Sequence, residues 1–246
     1  MERVTFAVLA LLGLWLGVAG QTSPPTLAAA VTGDEPFRVA AWFDLTATFL
    51  FAVTGAELAA RKGYDFVGLF GLALVTGLGG GLLRDGLFIQ GGPPAAATDG
   101  RYLAAVVLGT AFSRLGPLVL DDGSFRRLAL LLDAVALGAY ASFGAQKSLW
   151  AGLSFPAAAL VGVVNAVGGG LLRDVVARQE PEVFQPGQLY ATAALGAAAA
   201  FVGLVAWGGV PPAPASLAAV AVAVLLRLLS LRWDVRTAPL PPSSFR

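Results

Sequence analysis

Two seven-residue stretches place charge beside bare backbone. Gly79-Gly80-Gly81-Leu82-Leu83-Arg84-Asp85 and Gly168-Gly169-Gly170-Leu171-Leu172-Arg173-Asp174 are identical in every letter and stand 173 − 84 = 89 residues apart. Each lies in a long apolar run. An arginine and an aspartate are costly in hydrocarbon unless paired or hydrated, so they mark function there by default. Three glycines in a row weaken a helix by about 1 kcal/mol each relative to alanine. The stretches therefore offer ionic side chains that attract or exclude ions. They also offer backbone carbonyls and amides that a kinked helix would turn toward a cavity. The plainer use of the glycines is close helix packing.

Other polar residues repeat at the same interval. Asp44 maps onto Asp133 (133 − 44 = 89), Gly55-Ala56 onto Gly144-Ala145, Gly63 onto Gly152 and Thr76 onto Asn165. Tyr102 maps onto Tyr190 at 88, one residue short. Asp44, Asp85, Asp133 and Asp174 against Arg84 and Arg173 sum to −4 + 2 = −2, which favours a cation over an anion in a shared cavity. Lys147 closes the fourth apolar stretch, where it either anchors at the interface or guards the outer mouth. Arg84 and Arg173 lie six and five residues from the ends of their spans, within snorkelling reach of the headgroups. Arg114 and Arg227 are expected to snorkel, and Thr76 and Asn165 to bond their own helix backbones.

Composition removes whole classes of chemistry. The chain has no cysteine and no histidine, so thiolate nucleophiles, histidine bases and most zinc or haem sites are gone. The glycine cluster fails the dinucleotide fingerprint, since Leu82 stands where a third glycine is required. With net charge +1 and no basic stripe, nucleic acid is not an expected partner. No enzyme and no cofactor are expected. Of 246 residues, 57% are hydrophobic and 13% charged, against about 25% charged in soluble domains. The lipid bilayer is the expected solvent.

The elements that must position these residues are helices of membrane-crossing length. Residues 1–20 read as a signal peptide or an N-terminal anchor, and 21–37 as a linker with three prolines. Spans are expected near 38–60, 65–90, 101–120, 126–147, 150–178, 187–208 and 214–231. They group into a first repeat over 38–120, a second over 126–208 and a seventh helix at 214–231, with a tail at 232–246. A unit of three spans reverses direction, so the second repeat is expected inverted. Arg61, Lys62, Arg126, Arg127, Arg178, Arg232 and Arg236 fall on one side, and only Arg38, Arg101 and Lys147 on the other. The first side is then cytoplasmic, with the N-terminus outside and the C-terminus inside. Depth predicts two ion pairs between neighbouring helices, Asp44 with Arg84 and Asp133 with Arg173. Asp85 and Asp174 are not expected to serve their neighbouring arginines, because adjacent helical residues point about 100° apart.

The two Gly-Gly-Gly-x-x-Arg-Asp motifs, Gly144-Ala145-Gln146-Lys147 and Leu189-Tyr190-Ala191-Thr192-Ala193 resemble a bacterial member of the trimeric intracellular cation channel superfamily, over about residues 40–233. The branch with this motif also carries a glycine-transporter label. The resemblance implies an all-α membrane fold of two inverted three-helix repeats plus a seventh helix, with helices two and five kinked at the glycines. It implies a homotrimer in which each protomer holds a pore for monovalent cations, mainly potassium, in a bacterial inner membrane. It places the family's pore lysine on the fourth helix, where Lys147 is the one lysine. The pathway would then run past Gly79, Gly80, Gly81, Arg84, Asp85, Gly168, Gly169, Gly170, Arg173, Asp174, Asp44, Asp133 and Lys147. The alternative is a carrier for glycine or another small amino acid, holding a carboxylate at a half-helix N-terminus and an ammonium at an aspartate.

Overall fold

The computed structural model describes residues 37–119, 122–185 and 189–237. The signal peptide or anchor at 1–20, the linker up to residue 36 and the end of the tail lie outside the described residues. The long helices are α1 (Phe37–Arg61), α2 (Phe66–Leu83), α3 (Gly100–Val119), α4 (Asp122–Trp150), α5 (Phe155–Val176), α6 (Tyr190–Ala206) and α7 (Pro212–Arg232). A π-helical turn, Arg84–Ile89, extends α2. By length and composition, Trp42–Arg61, Phe66–Ile89, Phe155–Val176 and Pro212–Arg232 are each long and apolar enough to cross a membrane; Tyr190–Ala206 is a shorter apolar helix.

Helix ends follow local chemistry. The Asp65 carboxylate accepts the Gly68 N–H at 2.8 Å and caps the start of α2. Proline occupies the first turn of α5 and of α7, where its missing N–H breaks no helical bond. The turns from α1 to α2 and from α4 to α5 are copies. Gly63 (φ 71°) and Gly152 (φ 82°) take the left-handed conformation that glycine adopts without a Cβ penalty. The 6→1 bonds Tyr64 N to Ala59 O and Leu153 N to Ser148 O are both 3.0 Å, again 89 residues apart.

Packing repeats the pattern. Helices α1, α2 and α3 pack on one another, as do α4, α5 and α6; α2 meets α5, α1 meets α4, and α7 lies against α4 and α6. The α2–α5 meeting is made by the glycine triplets. A Cβ on Gly80 would fall on the Asn165 carbonyl oxygen, and one on Gly169 on the Thr76 carbonyl oxygen. A Cβ on Gly79 would stand 3.3 Å from the Gly169 Cα, and one on Gly168 3.3 Å from the Gly80 Cα. Residue 76 thus meets 169 while 80 meets 165, so the two helices run antiparallel.

Helical winding continues through both triplets, and α2 passes into a π-helical turn at Arg84. The reason is tertiary. Glycines that weaken an isolated helix let two backbones approach closely, and packing of that closeness holds the ladder together.

Candidate functional site

Two clusters of charge flank the α2–α5 crossing. The first gathers around Arg84, whose side chain is 1% exposed. Its Nε donates to Asp85 Oδ1 at 2.7 Å and its Nη2 to Asp85 Oδ2 at 3.1 Å. Its Nη1 lies 3.4 Å from Asp44 Oδ1 and 3.3 Å from Asn165 Oδ1. The guanidinium also stacks over the Phe143 ring, 4.7 Å from its centroid. The free oxygen of Asp44 accepts the Tyr102 hydroxyl at 2.5 Å. Lys147 reaches in from the end of α4 and donates to both Asp85 oxygens at 2.8 Å. Asp44 and Asp85 against Arg84 and Lys147 give −2 + 2 = 0. Every ionic group here has partners, as burial of charge demands.

A polar thread ties this cluster to the crossing. Asn165 accepts from Arg84 and donates through Nδ2 to the Tyr140 carbonyl at 2.7 Å. The Tyr140 hydroxyl donates to the Gly77 carbonyl at 2.5 Å and shares a 2.7 Å bond with Thr48 Oγ1. Thr76 bonds its own helix at Leu72 O, as its position in the sequence suggests, at 2.6 Å. Asn165 does not; it is a junction between helices.

The second cluster is looser. Arg173 Nε donates to Asp174 Oδ1 at 2.8 Å. Asp174 also accepts Gln179 Nε2 at 2.8 Å and the Glu182 N–H at 3.0 Å. Asp133 pairs with Arg227 of α7 at 3.6 Å, and the same Nη2 lies 4.0 Å from Glu182 Oε1. Arg227 stacks on Tyr190 at 5.0 Å. Its Nε and Nη1 are buried without a hydrogen-bond partner among the described residues. Asp133, Asp174 and Glu182 against Arg173 and Arg227 give −3 + 2 = −1.

Several expected sites thus come together and others do not. Asp44 and Arg84 pair as depth predicts. Asp133 and Arg173 do not: Asp133 is taken by Arg227 and Arg173 by Asp174. Arg227 is buried and paired rather than snorkelling. Both arginines bond the aspartate that follows them, because a long flexible side chain folds back across the angle between neighbouring Cβ atoms. Lys147, 20% exposed, turns inward to Asp85. Gly79, Gly80, Gly168 and Gly169 form the crossing itself, while Gly81 and Gly170 are beside Arg84 and Tyr190, respectively. Tyr102 and Tyr140 were missed as cluster members. The matched position of Tyr102 and Tyr190 in the repeat was the available signal for the first, and Tyr140 had none.

Known proteins place this architecture. The family model described as "Glycine transporter" matches residues 41–115 and 130–206. A UPF0126 membrane protein of Deinococcus radiodurans is 37% identical over 65% of this chain and 73% of its own length. The UPF0126 inner membrane protein YadS of Escherichia coli K12 is 31% identical over 79% of this chain and 93% of its own. Among solved structures, the trimeric intracellular cation channel orthologue from Rhodobacter sphaeroides is 35% identical, with TM-score 0.71 over 80% of this chain and 99% of that one. A second TRIC cation channel structure is 25% identical, with TM-score 0.72 over 83% of this chain and 98% of that one. The chain is accordingly a member of the UPF0126 family of bacterial membrane proteins, which carries the glycine-transporter domain and shares the TRIC channel fold.

Proposed function

We propose that this protein is a membrane channel for monovalent cations, chiefly potassium, with a pathway inside each protomer along the α2–α5 crossing. The observation that carries the reading is the likeness, at 35% identity over nearly the whole of that chain, to a TRIC cation channel orthologue. Ionic groups stand at both ends of the crossing; the four aspartates are balanced by Arg84, Lys147, Arg173 and Arg227, and the exposed Glu182 adds the one negative charge in excess. Residues Asp44, Arg84, Asp85 and Lys147 would close one end, and Asp133, Arg173 and Asp174 would line the other. Conduction past the first end requires the Lys147–Asp85 bonds to part. The two copied turns, the matching helix contacts and the antiparallel crossing support two inverted three-helix repeats with α7 outside them. A homotrimer, as the name of the solved orthologue states for that protein, and an N-terminus outside with the C-terminus cytoplasmic complete the reading.

A carrier for a small amino acid is the second reading, and one observation favours it. Arg227 keeps two unfilled donors beside Asp133, a cation and a carboxylate suited to the carboxylate and ammonium of glycine. Reconstitution in a planar bilayer with potassium on both sides separates the two. Unitary potassium currents are expected. Silent bilayers with saturable glycine uptake into proteoliposomes would replace the channel by the carrier.

A further inference from the structure

A groove of about 820 Å³ lies apart from both clusters, where α1 hands over to α2 and α3 nears its end. Phe66, Phe70, Val107 and Leu115 give it apolar walls, and Phe66 and Leu115 are 77% and 59% exposed. Along α3 it runs from Val107 to Leu115, eight residues or about 12 Å of helix. Two opposite charges border it, Arg114 and Asp65. They do not pair with each other. Arg114 makes no ion pair or hydrogen bond with any described residue, and Asp65 spends one oxygen on the Gly68 N–H and leaves the other without a bond.

We propose that this groove holds a phospholipid whose headgroup carries both a phosphate and a primary ammonium, the phosphatidylethanolamine class. Charge complementarity selects this occupant. The planar guanidinium of Arg114 suits a phosphate, to which it can offer two parallel N–H bonds. The free oxygen of Asp65 accepts an N–H from the ammonium, which a trimethylated choline headgroup cannot donate. An anionic headgroup without an amine would satisfy Arg114 and be repelled by Asp65. The acyl chain lies against the aromatic and aliphatic walls. The placement fits helix ends at a membrane surface, where basic pockets between helices take lipid headgroups. The proposal does not depend on what the α2–α5 pathway carries.

The test is native mass spectrometry of the intact purified protein with added phosphatidylethanolamine, phosphatidylglycerol or phosphatidylcholine of equal chain length. Wild type should retain phosphatidylethanolamine most strongly. Arg114→Gln should weaken that binding about tenfold, the loss of a charged hydrogen-bonding partner. Asp65→Asn keeps the helix cap but should erase the preference for phosphatidylethanolamine over phosphatidylglycerol. Equal retention of all three lipids by wild type, or unchanged binding by Arg114→Gln, overturns the proposal. So does a second copy seated on the groove. The chain has no cysteine of its own, so Val107→Cys reports that case cleanly as an oxidised, cross-linked dimer.

Discussion

Asp85 and Asp174 occupy matching places in the repeat and do the same local work. Each accepts a bond from the arginine before it, and each pins the loop that follows, through the N–H of Ala95 or of Glu182. Beyond that the two clusters part. At Asp85 a lysine closes the set, and the charges sum to zero. At Asp174 no lysine comes. The repeat counterpart of Lys147 is 147 − 89 = 58, which is Leu58. The second cluster instead borrows a cation from α7, a helix without a counterpart in the repeat, and Arg227 reaches Asp133 only at 3.6 Å with two nitrogens unbonded. Residues 89 apart fill matching positions in the two clusters, but Lys147, Arg227 and Glu182 have no such match. Lys147 and Arg227 each balance the charge of their own cluster, one closely and one loosely, and Glu182 makes the second end negative.

The largest expected effect breaks the tight end. Arg84→Met leaves Asp44 and Asp85 buried with Lys147 as their remaining cation, and should cost about 3–5 kcal/mol of stability. Thermal unfolding of the detergent-purified protein reads this, and adding Asp44→Asn should restore part of the loss. A loss that Asp44→Asn does not relieve would mean that the pair is not what holds Arg84 there.

The middle effect tests what the two halves share. Gly80→Ala and Gly169→Ala place a methyl group on a carbonyl of the facing helix, and should each cost about 1–3 kcal/mol in the same assay. Because the contacts are reciprocal, the two losses should match. Unequal losses would mean that the crossing is not symmetric in energy, whatever its geometry.

The smallest effect belongs to the loose end. Arg227→Met combined with Asp133→Asn removes a long ion pair together with two unbonded donors, and should stay within about 1 kcal/mol of wild type. A loss as large as that of Arg84→Met would erase the contrast between the clusters.

The helical fold was legible because the apolar runs and their glycine and proline breaks are long and regular. The Asp44–Arg84 pair was legible too, since depth along two neighbouring helices needs only residue counting. The same counting failed for Asp133 and Arg173, because it ignored α7. Arg227 read as one more arginine near a helix end, and nothing in a list of repeat positions points to a residue outside the repeat. The bond from each arginine to its own neighbour runs against the expectation from Cβ directions, which say little about a side chain as long as arginine's. The triplets suit either a kinked helix or close helix packing, and the sequence alone does not say which helix would face which. Their effect here is on two helices at once, and that requires knowing that α2 and α5 touch.

That contact has a mechanical side. Two antiparallel rods touching at one bare patch form a pivot, and Arg84 and Arg173 each stand four residues past it, beyond Gly80 and Gly169. At 1.5 Å per residue the two lever arms are both about 6 Å. They extend from opposite sides of the pivot. A scissoring of α2 against α5 would therefore swing both arginines through equal arcs, one at each end of the crossing, from a single change of angle.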